Sequence, residues 1–245
     1  MKRPKMIIFD YGHTLACEPE FNTLKGEEAL VPYFKSNKNN FSPAEIIDFA
    51  RSLYRQLGAA HKVGIELNAL QIHRLLYEYL EIELSISPVK AEKIFWDATS
   101  YGEIMPHADK MVDYINEIGI RSGIISNIVW SQTALTNRIK RLLPRNKMEF
   151  IICSSEYIFR KPNPILFELA LKKAKLPPQD VWFCGDNIKA DIEGAAACGM
   201  YSIWFEDKTR HNPWLGNDNV KPPSCKHLHI TDWRDFVNIL ERLEF

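Results

Sequence analysis

The chain has 245 residues, 46% of them hydrophobic, and its 31 Lys+Arg balance its 31 Asp+Glu to a formal net charge of zero. Such a length suits one large α/β domain, or a core with a smaller companion. The charge balance removes the electrostatic motive for nucleic acid or an anionic membrane surface as partner, and leaves small neutral or anionic ligands. The five cysteines are scattered without a C-x-x-C pair, and Cys153 and Cys184 sit inside apolar runs, which suits buried, reduced thiols. The basic start MKRPK precedes too short an apolar run for a secretory signal, and no stretch reaches the ~18 apolar residues of a membrane span. A reducing cytoplasm is the expected compartment.

Met6-Ile7-Ile8-Phe9 runs straight into Asp10, the pattern of a buried strand that delivers one carboxylate at its end. Residues 18–104 read as almost wholly helical. Within them, Ser42, Pro43 and Glu45 form a capping-box start, and ALQIHRLLYEYLEIEL and SPVKAEKIFWDATSYG continue with apolar residues three and four apart. After Pro106 the rhythm changes. ADKMVDYINEIG predicts a helix ended by Gly119, RSGIISN and MEFIICSS two strands, and NPILFELALKKAKL a helix. VWFCGDN then predicts a strand, DIEGAAACGM a helix closed by Gly199, YSIWF a strand, and ITDWRDFVNILERL a last helix. The stretch from Trp204 to Cys225, which includes Trp214, reads as a long surface loop. Alternation of this kind predicts a doubly wound parallel sheet covered on both faces. The core is expected over residues 1–17 and 105–245, with residues 18–104 inserted as a helical cap.

Open parallel sheets bind ligands outside the carboxyl ends of their strands. Asp10 and Thr14 fall at the first such end, Ser126 and Asn127 at a second, and Asp186, Asn187 and Asp191 at another, while Lys161 precedes the helix that Pro164 helps start. Taken singly, each has an ordinary explanation as a turn residue, a cap or a solvated charge. Together they make a specific set. Carboxylates facing one another repel unless a cation lies between them, and hard oxygen ligands suit Mg²⁺. A carboxylate in line with phosphorus can act as nucleophile, and hydroxyl, amide and ammonium donors can neutralise the phosphoryl oxygens.

The motifs IIFDYGHTL, GIISN, RKPNP and FCGDNIKAD resemble, in order and spacing, the four motifs of the haloacid dehalogenase (HAD) superfamily. The likeness covers essentially the whole chain, residues 18–104 resembling a C1-type cap on a Rossmann-like core. It implies that Asp10 is the aspartyl nucleophile and a Mg²⁺ ligand, and that Ser126, with Asn127 beside it, holds the transferred phosphoryl group. Lys161 would steady nucleophile and phosphate, and Thr14 would shape the first loop near the phosphate. Asp186, the Gly12 backbone carbonyl and Asp191, directly or through water, would complete the metal site.

One position departs from the pattern. Most phosphatases of the family carry a second Asp two residues after the nucleophile, to protonate the leaving alcohol, and here Gly12 stands there. Such an acid contributes about 10²–10⁴-fold, so aryl or acyl phosphates would suffer least from its loss. His13 and His107 are the candidates to replace it. His61 and His73, on cap helices, are expected at the surface or in packing, and His211, His227 and His229 form no metal cluster. The leading expectation is a Mg²⁺-dependent phosphatase of a small phosphorylated metabolite, a monomer or homodimer without nucleic-acid or membrane partner. Hydrolysis at carbon is a second reading, for whose phosphonate-cleaving form Lys62 and Lys90 are the available cap lysines. A weakly active phosphate-ligand-binding protein is a third. The cap aromatics Tyr54, Tyr77, Tyr79, Phe95, Trp96 and Tyr101 fall at helical spacing and are expected to be core.

Overall fold

The computed structural model describes residues 2–208 and 221–243. Trp214 and His211 lie outside them. The chain enters through β1 (Met6–Phe9) and leaves the core after β2 (Ala16–Cys17). The insertion holds α1 (Thr23–Glu28), β3 (Phe34–Asn37), α2 (Pro43–Lys62), α3 (Ala69–Tyr79), β4 (Ile82–Leu84) and α4 (Pro88–Thr99). The chain returns through β5 (Glu103–Ile104), which pairs antiparallel with β2. Then follow α5 (Ala108–Glu117), β6 (Arg121–Ser126), α6 (Gln132–Leu142), β7 (Met148–Cys153), α7 (Ser154–Tyr157) and α8 (Pro164–Ala174). The last elements are β8 (Val181–Gly185), a π-helical turn over Ile188–Glu193, α9 (Gly194–Ala197), β9 (Tyr201–Phe205), β10 (His227–Ile230) and α10 (Trp233–Glu241). No described helix is long and apolar enough to cross a membrane.

Six strands form one parallel sheet in the order β10-β9-β8-β1-β6-β7. The two-residue period of β1 sends Ile7 and Phe9 into one apolar cluster and Met6 and Ile8 into another, so this central strand is buried on both faces. On the first face lie Met111 and Ile115 of α5, Leu135 of α6, and Trp233 and Phe236 of α10; on the second lie Leu166 and Phe167 of α8. The first cluster continues without a break into the cap through Phe95 and Trp96.

The sheet and the inserted helices match the expected architecture; four local features differ. The cap is not almost wholly helical, because β3 and β4 pair antiparallel within it. α3 accordingly stops at Tyr79: Glu81 takes a left-handed φ of 55° and Ile82 pairs with Asn37 instead of continuing the helix. α6 has no counterpart among the expected elements, although its buried Ala134, Leu135, Arg138 and Ile139 fall at helical spacing. Nor has β10, a four-residue edge strand alternating His with apolar residues. DIEGAAACGM opens in a π-helical turn before α9.

Candidate active site

The register of β1 aligns Phe9 with Ile124 of β6 and with Cys184 of β8, so the three strands end side by side. Asp10, Ser126 and Asp186 follow from that alignment. The Asp10 amide donates to the Cys184 carbonyl at 2.8 Å, the last rung before the chain turns away. The turn is tight: the Leu15 and Ala16 amides both donate to the Tyr11 carbonyl at 3.0 Å, and His13 adopts a φ of 52°. Thr14 is fully buried and its carbonyl accepts the Trp233 indole N–H at 3.1 Å, which ties the turn to α10. Gly12 is not in the left-handed region, and a Cβ built there meets nothing within 4 Å. Neither backbone strain nor crowding therefore demands glycine at this position.

Lys161 is the centre of charge. Its Nζ lies 2.7 Å from Asp10 Oδ1 and 2.6 Å from Asp191 Oδ1, and donates to the Ile125 carbonyl at 2.9 Å. Burial works against the ammonium, but the Asp10 and Asp191 carboxylates hold its pKa above the usual lysine value. Burial pushes the Asp191 carboxyl upward, against the pull of Lys161. The backbone of Lys161 is clasped by the Asn127 side chain, which accepts from the Lys161 amide at 2.7 Å and donates to its carbonyl at 2.9 Å. A cis peptide follows, between Lys161 and Pro162. Asp191 is itself anchored, Oδ2 accepting from the Asn187 amide at 3.0 Å.

Ligand oxygens of Asp10, Asp186 and Asp191 all lie within 4.8 Å of one another, and all three residues are buried. Carboxylates gathered this closely repel one another, a repulsion that Lys161 relieves for Asp10 and Asp191 and that a cation among them would relieve further. An all-oxygen set of this kind fits a hard divalent cation such as Mg²⁺.

A cleft of about 470 Å³ opens over this cluster, lined at its floor by Asp10, Gly12, Ser126, Asn127, Lys161, Asp186 and Asp191. Its walls come from the first loop and the cap. Tyr11, Glu18, Phe21 and Trp96 form one side with Trp130 of the β6–α6 loop, and His61 and Arg160 lie on the lining too. Trp96 and Trp130 stack at 5.1 Å and 18°, and the Arg138 guanidinium sits 3.7 Å from the Trp96 ring centre. Arg138 pairs with Glu18 at 2.7 Å and with Asp97 at 2.8 Å, and the Tyr11 hydroxyl donates to Glu18 at 2.8 Å.

Two further buried carboxylates bind cap to core. Glu92 of α4 accepts from the Ser131 amide at 2.8 Å and from its hydroxyl at 2.5 Å, at the start of α6. Glu66, in the loop between α2 and α3, accepts from His61 at 2.8 Å, from the Ser154 hydroxyl at 2.7 Å and from Arg160. Against its burial, His61, Arg160 and Ser154 hold the Glu66 carboxyl below the usual glutamate value. The same loop pairs along the backbone: Arg160 donates to Gly64 at 2.9 Å, and Ile65 bridges Phe159.

The floor thus brings together Asp10, Gly12, Ser126, Asn127, Lys161, Asp186 and Asp191. Thr14 lies behind the loop and does not line the cleft. His13 lines it, whereas His107 starts α5 and pairs with Asp232 at 3.1 Å, away from it. Neither Lys62 nor Lys90 is on the lining. Trp96 belongs to both core and cleft wall, and His61, expected in packing or at the surface, stands on the wall as well. Phe21 and Trp130 lie in no motif, and Tyr11 and Arg160, inside the first and third motifs, are given no role there. Only the adjacency of Tyr11 to Asp10 and of Arg160 to Lys161 could have drawn attention to them.

A model of haloacid dehalogenase-like hydrolases matches residues 37–205. Glyceraldehyde 3-phosphate phosphatase of Pyrococcus abyssi is 30% identical over 206 residues, covering 82% of this chain and 81% of that one. Pyrimidine 5'-nucleotidase YjjG of Escherichia coli is 28% identical over 211 residues, covering 84% and 88%. Among solved structures, a 2-haloacid dehalogenase of Pseudomonas syringae shares the fold at a TM-score of 0.62 and 18% identity, covering 99% of each chain. On the family match and the relatives' coverage together, this chain belongs to the haloacid dehalogenase-like hydrolases.

Proposed function

We propose that the protein is a Mg²⁺-dependent phosphatase that hydrolyses small phosphorylated metabolites through an acyl phosphate on Asp10. The observation that carries the reading is the fixed position of Asp10 in the cleft, its Oδ1 2.7 Å from an ammonium that also holds Asp191. A nucleophile held in one rotamer loses little freedom on attack. The names of the relatives, phosphatases and a nucleotidase, support the same reaction class.

In the first step an Asp10 carboxylate oxygen attacks phosphorus, the P–O bond to the leaving group breaks, and the leaving group departs with the electron pair. Ser126, buried on the cleft floor at the end of β6, donates to a phosphoryl oxygen, and Lys161 offsets the charge that spreads over the others. Asn127 keeps Lys161 in register through the backbone clasp. In the second step water adds to phosphorus and the bond to Asp10 breaks, which releases phosphate and restores the carboxylate. Asp10, Asp186, Asp191 and the Gly12 carbonyl would hold Mg²⁺, whose charge lowers the repulsion between Asp10 and an incoming phosphate.

The test is phosphate release from acetyl phosphate and 4-nitrophenyl phosphate with and without Mg²⁺, for the wild type and Asp10→Asn. Release that needs both Mg²⁺ and Asp10 is expected. Silence on every phosphate, together with no heat of Mg²⁺ binding in calorimetry, would sink the reading in favour of hydrolysis at carbon.

A further inference from the structure

We infer that the preferred substrates are aryl phosphates, monoesters whose leaving group is a phenol. The inference rests on the phosphatase reading and narrows it. It draws on three features of the cleft.

The first is Gly12. The position lines the cleft, its backbone is one that any residue adopts, and a side chain there would meet open space. A carboxylic acid fits at this point and is not present. A phenol has a pKa near that of tyrosine, about 10, so phenolate leaves with its electron pair and takes a proton from water afterwards. An aliphatic alcohol resembles water itself, at about 15.7, and needs the proton as the bond breaks.

The second is the wall. Phe21 is 40% exposed and lines the cleft, as do Tyr11, Trp96 and Trp130. The Trp96–Trp130 stack is backed by Arg138, and Tyr11 meets Trp96 edge-on at 6.3 Å. Tyr11, Trp96 and Trp130 are buried and held by packing before any ligand arrives. A preformed aromatic surface of this kind favours a flat ring and gains little from a polyol chain.

The third is the charge around that wall. Glu18 is engaged by Arg138 and Tyr11, and His61 and Arg160 both engage the buried Glu66 carboxylate. These wall charges are balanced within the protein, so the body of the substrate meets rings and paired ions, which disfavours a second phosphate. Uncompensated polarity is concentrated on the floor, where one phosphoryl group sits.

The experiment compares kcat/KM with Mg²⁺ for phenyl phosphate, glyceraldehyde 3-phosphate and thymidine 5'-phosphate, using wild type, Gly12→Asp and Phe21→Ala. Phenyl phosphate is expected to lead both alkyl esters by about 10²-fold or more in the wild type, the lower bound of what a missing acid costs. Gly12→Asp should narrow that gap by raising the alkyl rates. Phe21→Ala should raise KM for phenyl phosphate about fivefold, in the range of one aromatic contact, and raise it less for acetyl phosphate. Either alkyl ester matching phenyl phosphate in the wild type overturns the inference while leaving a phosphatase. Thymidine 5'-phosphate in the lead would assign the wall to a nucleobase and a proton donor to some other residue. Loss of Asp10-dependent release on every ester and on the anhydride acetyl phosphate would remove the phosphatase reading itself.

Discussion

Gly185 ends β8 one residue before Asp186, and a Cβ added there would lie 2.4 Å from Cβ, Cγ and Oδ2 of Asp191. Carbon contacts are comfortable from about 3.5 Å, so alanine at this position requires about 1 Å of movement. Asp191 has no slack to give. Oδ1 is 2.6 Å from Lys161, Oδ2 is 3.0 Å from the Asn187 amide, and the residue is 1% exposed. Moving it breaks one of these contacts and loosens Lys161, which in turn positions Asp10. A misplacement of about 1 Å in a catalytic constellation can cost about 10²-fold. Gly185→Ala is therefore expected to lower kcat for phenyl phosphate by about 10²-fold and to weaken Mg²⁺ binding measured by calorimetry. Gly12→Ala supplies the contrast for folding, since nothing lies within 4 Å of its Cβ; its stability in urea should stay within about 0.5 kcal/mol of wild type. A Gly185→Ala protein with unaltered turnover and Mg²⁺ affinity would refute the seating of Asp191 described above.

Burial raises Glu27 in the cap from an ordinary 4.5 to about 7, opposed only by hydrogen bonds from the Tyr77 hydroxyl at 3.0 and 3.2 Å. A carboxyl raised on folding contributes stability present below pH 4.5 and lost as pH climbs through about 7, a swing of about 3 kcal/mol at 1.36 kcal/mol per unit. Glu27→Gln should gain that much on the wild type between pH 4.5 and 8 in urea unfolding, and equal pH slopes for the two proteins would contradict it. Glu92→Ala leaves the buried Ser131 amide without its acceptor, so a loss of about 1–3 kcal/mol is expected by the same measurement. Lys161→Met leaves Asp10 and Asp191 facing one another without their ammonium, and should cost about 3–5 kcal/mol at neutral pH together with turnover. Added Mg²⁺ should recover part of that stability, read as an upward shift in Tm.

Part of the cleft floor is legible because Asp10, Ser126 and Asp186 stand at the ends of buried strands, whereas Lys161, before α8, and Asp191, in the π-helical turn, stand out through the family motifs. An apolar run such as Met6–Phe9 announces both the strand and the point where its chain emerges. The walls were not legible in the same way. Trp96 sits at helical spacing with core residues, and nothing local distinguishes a ring that packs from one that packs and also faces a cavity. His61 read as a surface or packing residue because its partner, Glu66, becomes significant only once Ser154 and Arg160 meet it from 88 and 94 residues away. β3, β4 and β10 escape the sequence for a related reason: short strands exist through pairing with distant segments, and three or four residues are too few for a period to stand out.

The loop between α2 and α3 lies against the peptide that leads into Lys161, through Gly64, Ile65 and Glu66. Cap and core are in that sense not separable modules in this protein. A chimera that kept the core and received a relative's cap would trade away the partner of Arg160, the residue just before Lys161. Descent with a new substrate range would then have to rewrite residues 64–66 and 158–160 together, so the two short segments should change in step across a lineage although about ninety residues separate them.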